Sequence, residues 1–166
     1  MEESQQWMNR YLPPNDVNTY DLMLWAKEDS KPWEHIGVIG CHIMSPVPHI
    51  GYMLRTEWWG RSIATKALQV FLEDWWKLER KEVEVSTAEA EDEYGMHLMA
   101  LEMNQSESDI NADETVPEIL LAEIEENNIG SVRVITKCGF QYRGCKTIHE
   151  KGQSFVLLEY TLSRPH

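Results

Sequence analysis

The sequence predicts a single α/β (α+β) domain over residues 1–166, and three observations carry that prediction. Strand-like runs come in groups, three ahead of the first long helix and two closing the chain. Two runs turn abruptly into helices, at Trp59-Gly60-Arg61-Ser62 and at Asn128-Ile129-Gly130-Ser131. The length suits one hydrophobic core and is short for two.

Each element has its own justification. Trp7, Met8, Tyr11 and Leu12 fall on one face of a short helix that Pro13-Pro14 stops. Residues 19–26 and 35–43 read as strands joined by a polar turn, an antiparallel pair. Pro46 and Pro48 break the next connection, and Ile50-Gly51-Tyr52-Met53-Leu54 then suits a pleated surface. A helix is expected over 62–80, because Ala64, Leu68, Phe71, Leu72 and Trp75 recur at helical spacing. Met96, Met99, Ala100 and Met103 predict a short amphipathic helix, which either covers a substrate or another subunit or packs on its own domain. Residues 118–125 (EILLAEIE) read as a buried strand. The second corner leads into a helix over 132–137 that closes at Cys138-Gly139-Phe140, where the glycine fits a C-cap. Strands at 140–147 and 154–162 are joined through Glu150-Lys151-Gly152-Gln153 as a hairpin.

Composition narrows the function classes. The net charge of -13 comes from one stretch: no Lys or Arg lies between Glu82 and Val132, where 15 of the 28 acidic residues fall. An acidic insertion at about 82–117 follows, either a solvated loop or a rim that attracts a cationic substrate. Nucleic acid is a poor partner, because phosphate contacts need clustered cations. No apolar run reaches the ~18 residues of a membrane span, and no basic-then-apolar leader opens the chain, so a soluble cytoplasmic protein is expected. Three cysteines without paired spacing suggest neither a disulfide framework nor a metal site. His35, His42 and His49 fall every seven residues, an interval that matches neither a strand face nor a zinc motif.

The first corner has chemical potential. A helix opening on Gly60 and Ser62 leaves backbone N–H groups without intrahelical partners, and the small side chains admit an anion. The same residues also suit an ordinary turn.

Three matches in order, Gly51-Tyr52 ahead of Trp59-Gly60 and Ala64-Thr65, Asn128 with Ser131, and Lys137-Cys138-Gly139-Phe140, resemble the GNAT superfamily of acyl-CoA-dependent N-acyltransferases. The branch of ribosomal-protein N-terminal acetyltransferases is the most similar. The resemblance implies a mixed, mostly antiparallel sheet flanked by helices, with the acidic insertion ahead of the fifth family strand. It implies transfer of acetyl from acetyl-CoA, as co-substrate and without a metal, to an amine on a small molecule or on a protein or peptide. The phosphate-binding signature Q/R-x-x-G-x-G/A falls on Trp59, Ser62 and Ala64, with serine in place of the usual glycine. The cofactor ligands so implied are Gly60, Arg61, Ser62, Ile63, Ala64, Thr65 and Lys66 around the phosphates, with Arg133 a further cation. Met53, Leu54 and Arg55 would lie beside the pantetheine arm, and Asn128 would hold that arm or a water. His49 stands where relatives carry a basic glutamate, and Glu123 or Glu125 would orient the amine. Ser131 and Tyr52 stand in for the tyrosine acid that many relatives place where this chain has Ile135. The alternative is a GNAT-like module that binds CoA or a protein without catalysis. The family begins with a strand and helix before the point where this sequence starts, which leaves the strand near Tyr20 as an edge where two copies could pair as a homodimer.

Overall fold

The computed structural model describes residues 19–44, 47–80 and 118–165. The expected helix at Trp7 to Leu12, the acidic insertion and its methionine helix lie outside them. The strands are β1 (Tyr20–Ala26), β2 (Glu34–Ile43), β3 (His49–Leu54), β4 (Ile119–Glu125), β5 (Gln141–Glu150) and β6 (Gln153–Ser163). The helices are α1 (Ile63–Trp75), between β3 and β4, and α2 (Ile129–Lys137), between β4 and β5. The strands form one sheet in the order β1-β2-β3-β4-β6-β5. Every pairing is antiparallel except β3 with β4. Among the described residues β1 lies at one edge of the sheet.

Both helices pack on one face of this sheet. Leu68, Phe71, Leu72 and Trp75 of α1 recur at helical spacing and are buried against Ile39, Cys41, Ile50, Leu120, Ala122 and Ile124. From α2, Ile135 enters the same core, joined by Phe140 and Tyr160. Alternation along the strands sends their other side chains to the opposite face. Among these are Asp21, His42, His49, Glu123, Lys146 and Glu159.

Two helix boundaries differ from the sequence expectation by three residues or more. Helix α1 ends at Trp75, not near Arg80, because the Arg80 side chain folds back on it. Its guanidinium donates to the Trp75 and Leu78 carbonyls, both at 2.8 Å, and so satisfies groups a longer helix would have bonded internally. The same guanidinium grips Glu118 at 2.8 and 2.9 Å and ties the helix end to the start of β4. Helix α2 starts earlier than 132, at Ile129, because the Asn128 side chain accepts from the Ser131 N–H at 3.1 Å and caps it. The final hairpin turns on Lys151 and Gly152, both at positive φ, the two-residue turn whose twist matches its strands.

Candidate active site

The first corner is an uncapped helix start. β3 ends at Leu54, a single 3-10 turn follows at Thr56–Trp58, and the chain then passes through Gly60 at φ 73° and Ser62 at φ 59° before α1 begins. The Ser62 carbonyl accepts the first helical bond from Lys66 at 3.1 Å, while its side chain caps nothing. The N–H groups of Ile63, Ala64 and Thr65 are therefore without intrahelical partners, and no acidic residue occupies the first turn. A Cβ added at Gly60 would meet nothing within 4 Å. This is the geometry that receives an anion.

Ser62 holds a left-handed conformation that costs a non-glycine residue about 1 kcal/mol. Since its hydroxyl makes no capping bond, Ser62→Gly loses little in the folded state. The expected result is a net gain of about 0.5 kcal/mol after the added freedom of the unfolded chain, read as a higher urea midpoint with an unchanged m-value.

The cations around the corner are unequal. Arg61 Nη1 lies 2.8 Å from Glu28 Oε1, and its guanidinium stacks 4.7 Å over the Trp58 ring. That bond, followed by one from Lys31, holds the Glu28 carboxyl down at about 2. Arg61 thus fastens the β1–β2 turn to the corner, and an incoming phosphate would share it with Glu28. Arg55 is likewise engaged, 3.6 Å from both Glu34 and Glu57. Lys66 and Arg133 are exposed and form no ion pair with another described residue.

Beside the corner the sheet opens. β3 and β4 pair at one position, His49 with Leu121, where the Leu121 N–H also donates to the Pro48 carbonyl at 2.9 Å. Beyond it the described residues of these strands form no further rungs. Arg55 gives its N–H to Ile36 on β2, and main-chain groups alternate in direction. Met53 and Arg55 therefore point theirs at β2, while Tyr52 and Leu54 point theirs at the opening. Of residues 53–55, Leu54 is the one whose main-chain groups face the opening. The Leu54 carbonyl is in turn taken by the Trp59 indole N–H at 2.8 Å.

On the helical side, Tyr52, Ser131, Cys138 and Thr65 come together. Burial pushes the Tyr52 phenol up, and a hydrogen-bonding influence from Ser131 only partly offsets it. The phenol oxygen is shielded from solvent and makes no well-aligned bond, so the two hydroxyls are close without being locked together. The Cys138 thiol donates to the Thr65 carbonyl at 3.7 Å, and burial pushes it up as well. Ile135 is fully buried in the core and offers no acid.

On the opposite face, His49 Nδ1 stands 3.7 Å from Glu123 Oε2. Glu123 also pairs with Lys146, whose Nζ is 3.9 Å from the buried Glu159. Further along, His42 Nδ1 lies 2.8 Å from Asp21 Oδ1. The structure thus separates the expected catalytic residues: Tyr52 and Ser131 on one side of the opening, His49 and Glu123 on the other. Asn128 spends its side-chain oxygen on the α2 cap. Sequence reasoning missed Asp21, His42, Lys146 and Glu159. The seven-residue interval from His42 to His49 matches no single strand, but it spans a hairpin whose register shifts between Cys41 and Ile43, and the His42 ring lies against Gly51, two residues from His49 on the same face of β3. Among the described residues no group of side chains could hold a metal ion, and no helix is long and apolar enough to cross a membrane. All three cysteines are free thiols.

The acetyltransferase (GNAT) domain family matches residues 1–141 of the chain. Solved structures with the same fold include the ribosomal L7/L12 α-N-protein acetyltransferase RimL in complex with coenzyme A, at TM-score 0.58 and 13% identity, covering 98% of this chain and 70% of that one. The microcin C7 self-immunity acetyltransferase MccE, in complex with acetyl-CoA and AMP, gives 0.54 at 17% identity, covering 98% and 68%. A variant of spermidine N-acetyltransferase SpeG from Vibrio cholerae gives 0.54 at 11% identity, covering 98% and 75%. No curated protein sequence matches the chain.

Proposed function

The chain belongs to the GNAT acetyltransferase family, and from that membership we propose that it transfers acetyl from acetyl-CoA to a primary amine by direct attack. The observation that carries this reading is the meeting of an uncapped helix start with an unpaired strand edge at one opening in the sheet. The N–H groups of Ile63, Ala64 and Thr65 would hold the pyrophosphate, with Arg61, Lys66 and Arg133 as cations around it. The free main-chain groups of Tyr52 and the Leu54 N–H would pair with the amide-bearing arm. Acetyl-CoA supplies the thioester; the protein supplies position and proton transfers.

The two sides of the opening suit two halves of the reaction. Tyr52, kept protonated by burial and close to Ser131, would give a proton to the leaving thiolate. The opposite face carries imidazoles and carboxylates, which suit receipt of an amine and of its proton. His49 and Glu123 line that approach. Two of the solved neighbours are named for spermidine and for a ribosomal protein, and their amine substrates support the acceptor class. The free cysteines fit a reducing cytoplasm, where acetyl-CoA is available.

Calorimetry with acetyl-CoA and CoA, followed by thiol release across a panel of polyamines and N-terminal peptides, tests the proposal. Absence of binding at millimolar cofactor ends it. A second reading, a CoA-binding module without catalysis, is favoured by Ile135 filling the core where relatives place an acid. Binding without turnover on any amine selects that reading.

A further inference from the structure

We infer that His42 takes the proton from the attacking amine, and that Asp21 is the residue that positions it. The inference rests on the acyltransferase reading above and assigns the base within it.

The imidazole is held in one orientation. His42 Nδ1 is shut off from solvent 2.8 Å from Asp21 Oδ1, tilted off the straight hydrogen-bond line. A nitrogen lone pair and a carboxylate oxygen repel at that distance, so Nδ1 carries the ring proton and Nε2 is the basic nitrogen. With Nδ1 turned toward β1, Nε2 is turned toward β3. A Cβ added at Gly51 would sit 3.2 Å from Nε2 and 3.4 Å from Cδ2, so the ring lies directly over the Gly51 backbone.

The floor beneath the pair is made for it. Gly40 and Gly51 face each other in register on β2 and β3. A Cβ at Gly40 would lie 2.1 Å from Asp21 Oδ1, so each glycine vacates the room that one member of the pair fills. Gly51 adjoins Tyr52, whose main-chain groups face the opening, so Nε2 stands over the strand that borders it.

His49 is less well placed for the same task. Its carboxylate contact is longer, 3.7 Å, and Glu123 divides its charge with Lys146. It also sits at the single rung where β3 and β4 are still joined, short of the opening. Among the described residues, the charged and titratable groups on this face of the sheet include Asp21 on β1, His49 on β3, Glu123 on β4, Glu159 on β6, and Lys146 and Arg143 on β5.

In the step assigned, the lone pair of a neutral amine forms the C–N bond to the thioester carbonyl carbon. Nε2 accepts the N–H proton, and the C–S bond breaks with its electron pair leaving on sulfur. The thiolate takes a proton from water or from Tyr52, which recovers it from solvent, and the imidazolium returns its own to solvent. The products are the amide and the free thiol.

Two measurements test this. Nitrogen-15 spectra of the protein without ligand should show His42 as the Nδ1–H tautomer, and should lose that preference in Asp21→Asn; an Nε2–H tautomer overturns the inference whatever the enzyme does. In steady-state kinetics, His42→Gln should lower kcat by at least tenfold, leave acetyl-CoA affinity by calorimetry unchanged, and remove the imidazole limb from the pH–rate profile. Added imidazole should restore turnover in His42→Ala. A limb that survives in His42→Gln, or one that disappears in His49→Gln while His42→Gln keeps it, overturns the assignment. Loss of acetyl-CoA binding in the unaltered protein would instead sink the acyltransferase reading and leave the tautomer result standing.

Discussion

Ser62→Asp should leave the protein folded and weaken acyl-CoA binding by about a hundredfold or more. Aspartate tolerates left-handed backbone better than serine, so the start of α1 should hold its stability. The new carboxylate, however, stands where the pyrophosphate is proposed to bind, before the unpartnered N–H groups of Ile63, Ala64 and Thr65. Two like charges about 4 Å apart repel by about 4 kcal/mol near a protein surface, about three orders of magnitude in affinity. Screening at an exposed site lowers this toward a hundredfold. Ser62→Asn has nearly the same shape without the charge and should bind within a fewfold of the parent. Calorimetry on both variants, with melting curves as the control for folding, checks the result. Equal binding by Asp and Asn variants would place the phosphates elsewhere.

What the sequence made legible follows from where the forces act. Local backbone chemistry writes itself into neighbouring residues. The turn at Lys151-Gly152 and the apolar stripe of Leu68, Phe71, Leu72 and Trp75 were both readable because cause and effect lie within a few positions. The end of α1 was not, because it is set by Arg80 reaching Glu118, 38 residues on. The site divides in the same way. Gly60 and Ser62 announce an open helix start by composition. The pairing of His42 with Asp21 exists only once β1, β2 and β3 are laid side by side, with Gly40 and Gly51 opposite each other. Even the direction in which Met53 and Arg55 turn their main-chain groups depends on which residue of β3 donates to Ile36.

Trp75→Ala should remove most of the stability of the domain. The side chain is 2% exposed, stacks on Phe71 with centroids 5.9 Å apart, and meets Tyr20 at 5.9 Å. Its indole N–H donates to Glu118 at 3.1 Å, and the Arg80 guanidinium covers its face at 4.9 Å. Truncating a core tryptophan costs about 3–5 kcal/mol, against a total of about 5–15 for a domain. Here it also loosens Arg80 and Glu118, which close α1 onto β4. Trp75→Phe keeps most of the packing and loses the indole bond, so a cost of about 1–2 kcal/mol is expected, and urea unfolding of the pair separates the two contributions. The proposed anion site is at the other end of α1, about 18 Å away at the helical rise. Folded Trp75→Ala should therefore still bind acetyl-CoA, and a ligand that binds only the native state raises its melting point by mass action. Ser62→Asp should show the reverse, an unchanged melting point that acetyl-CoA fails to raise. Failure of acetyl-CoA to stabilise Trp75→Ala at concentrations that stabilise the parent would show that the C-terminal anchor of α1 and the cradle at its start are one cooperative unit.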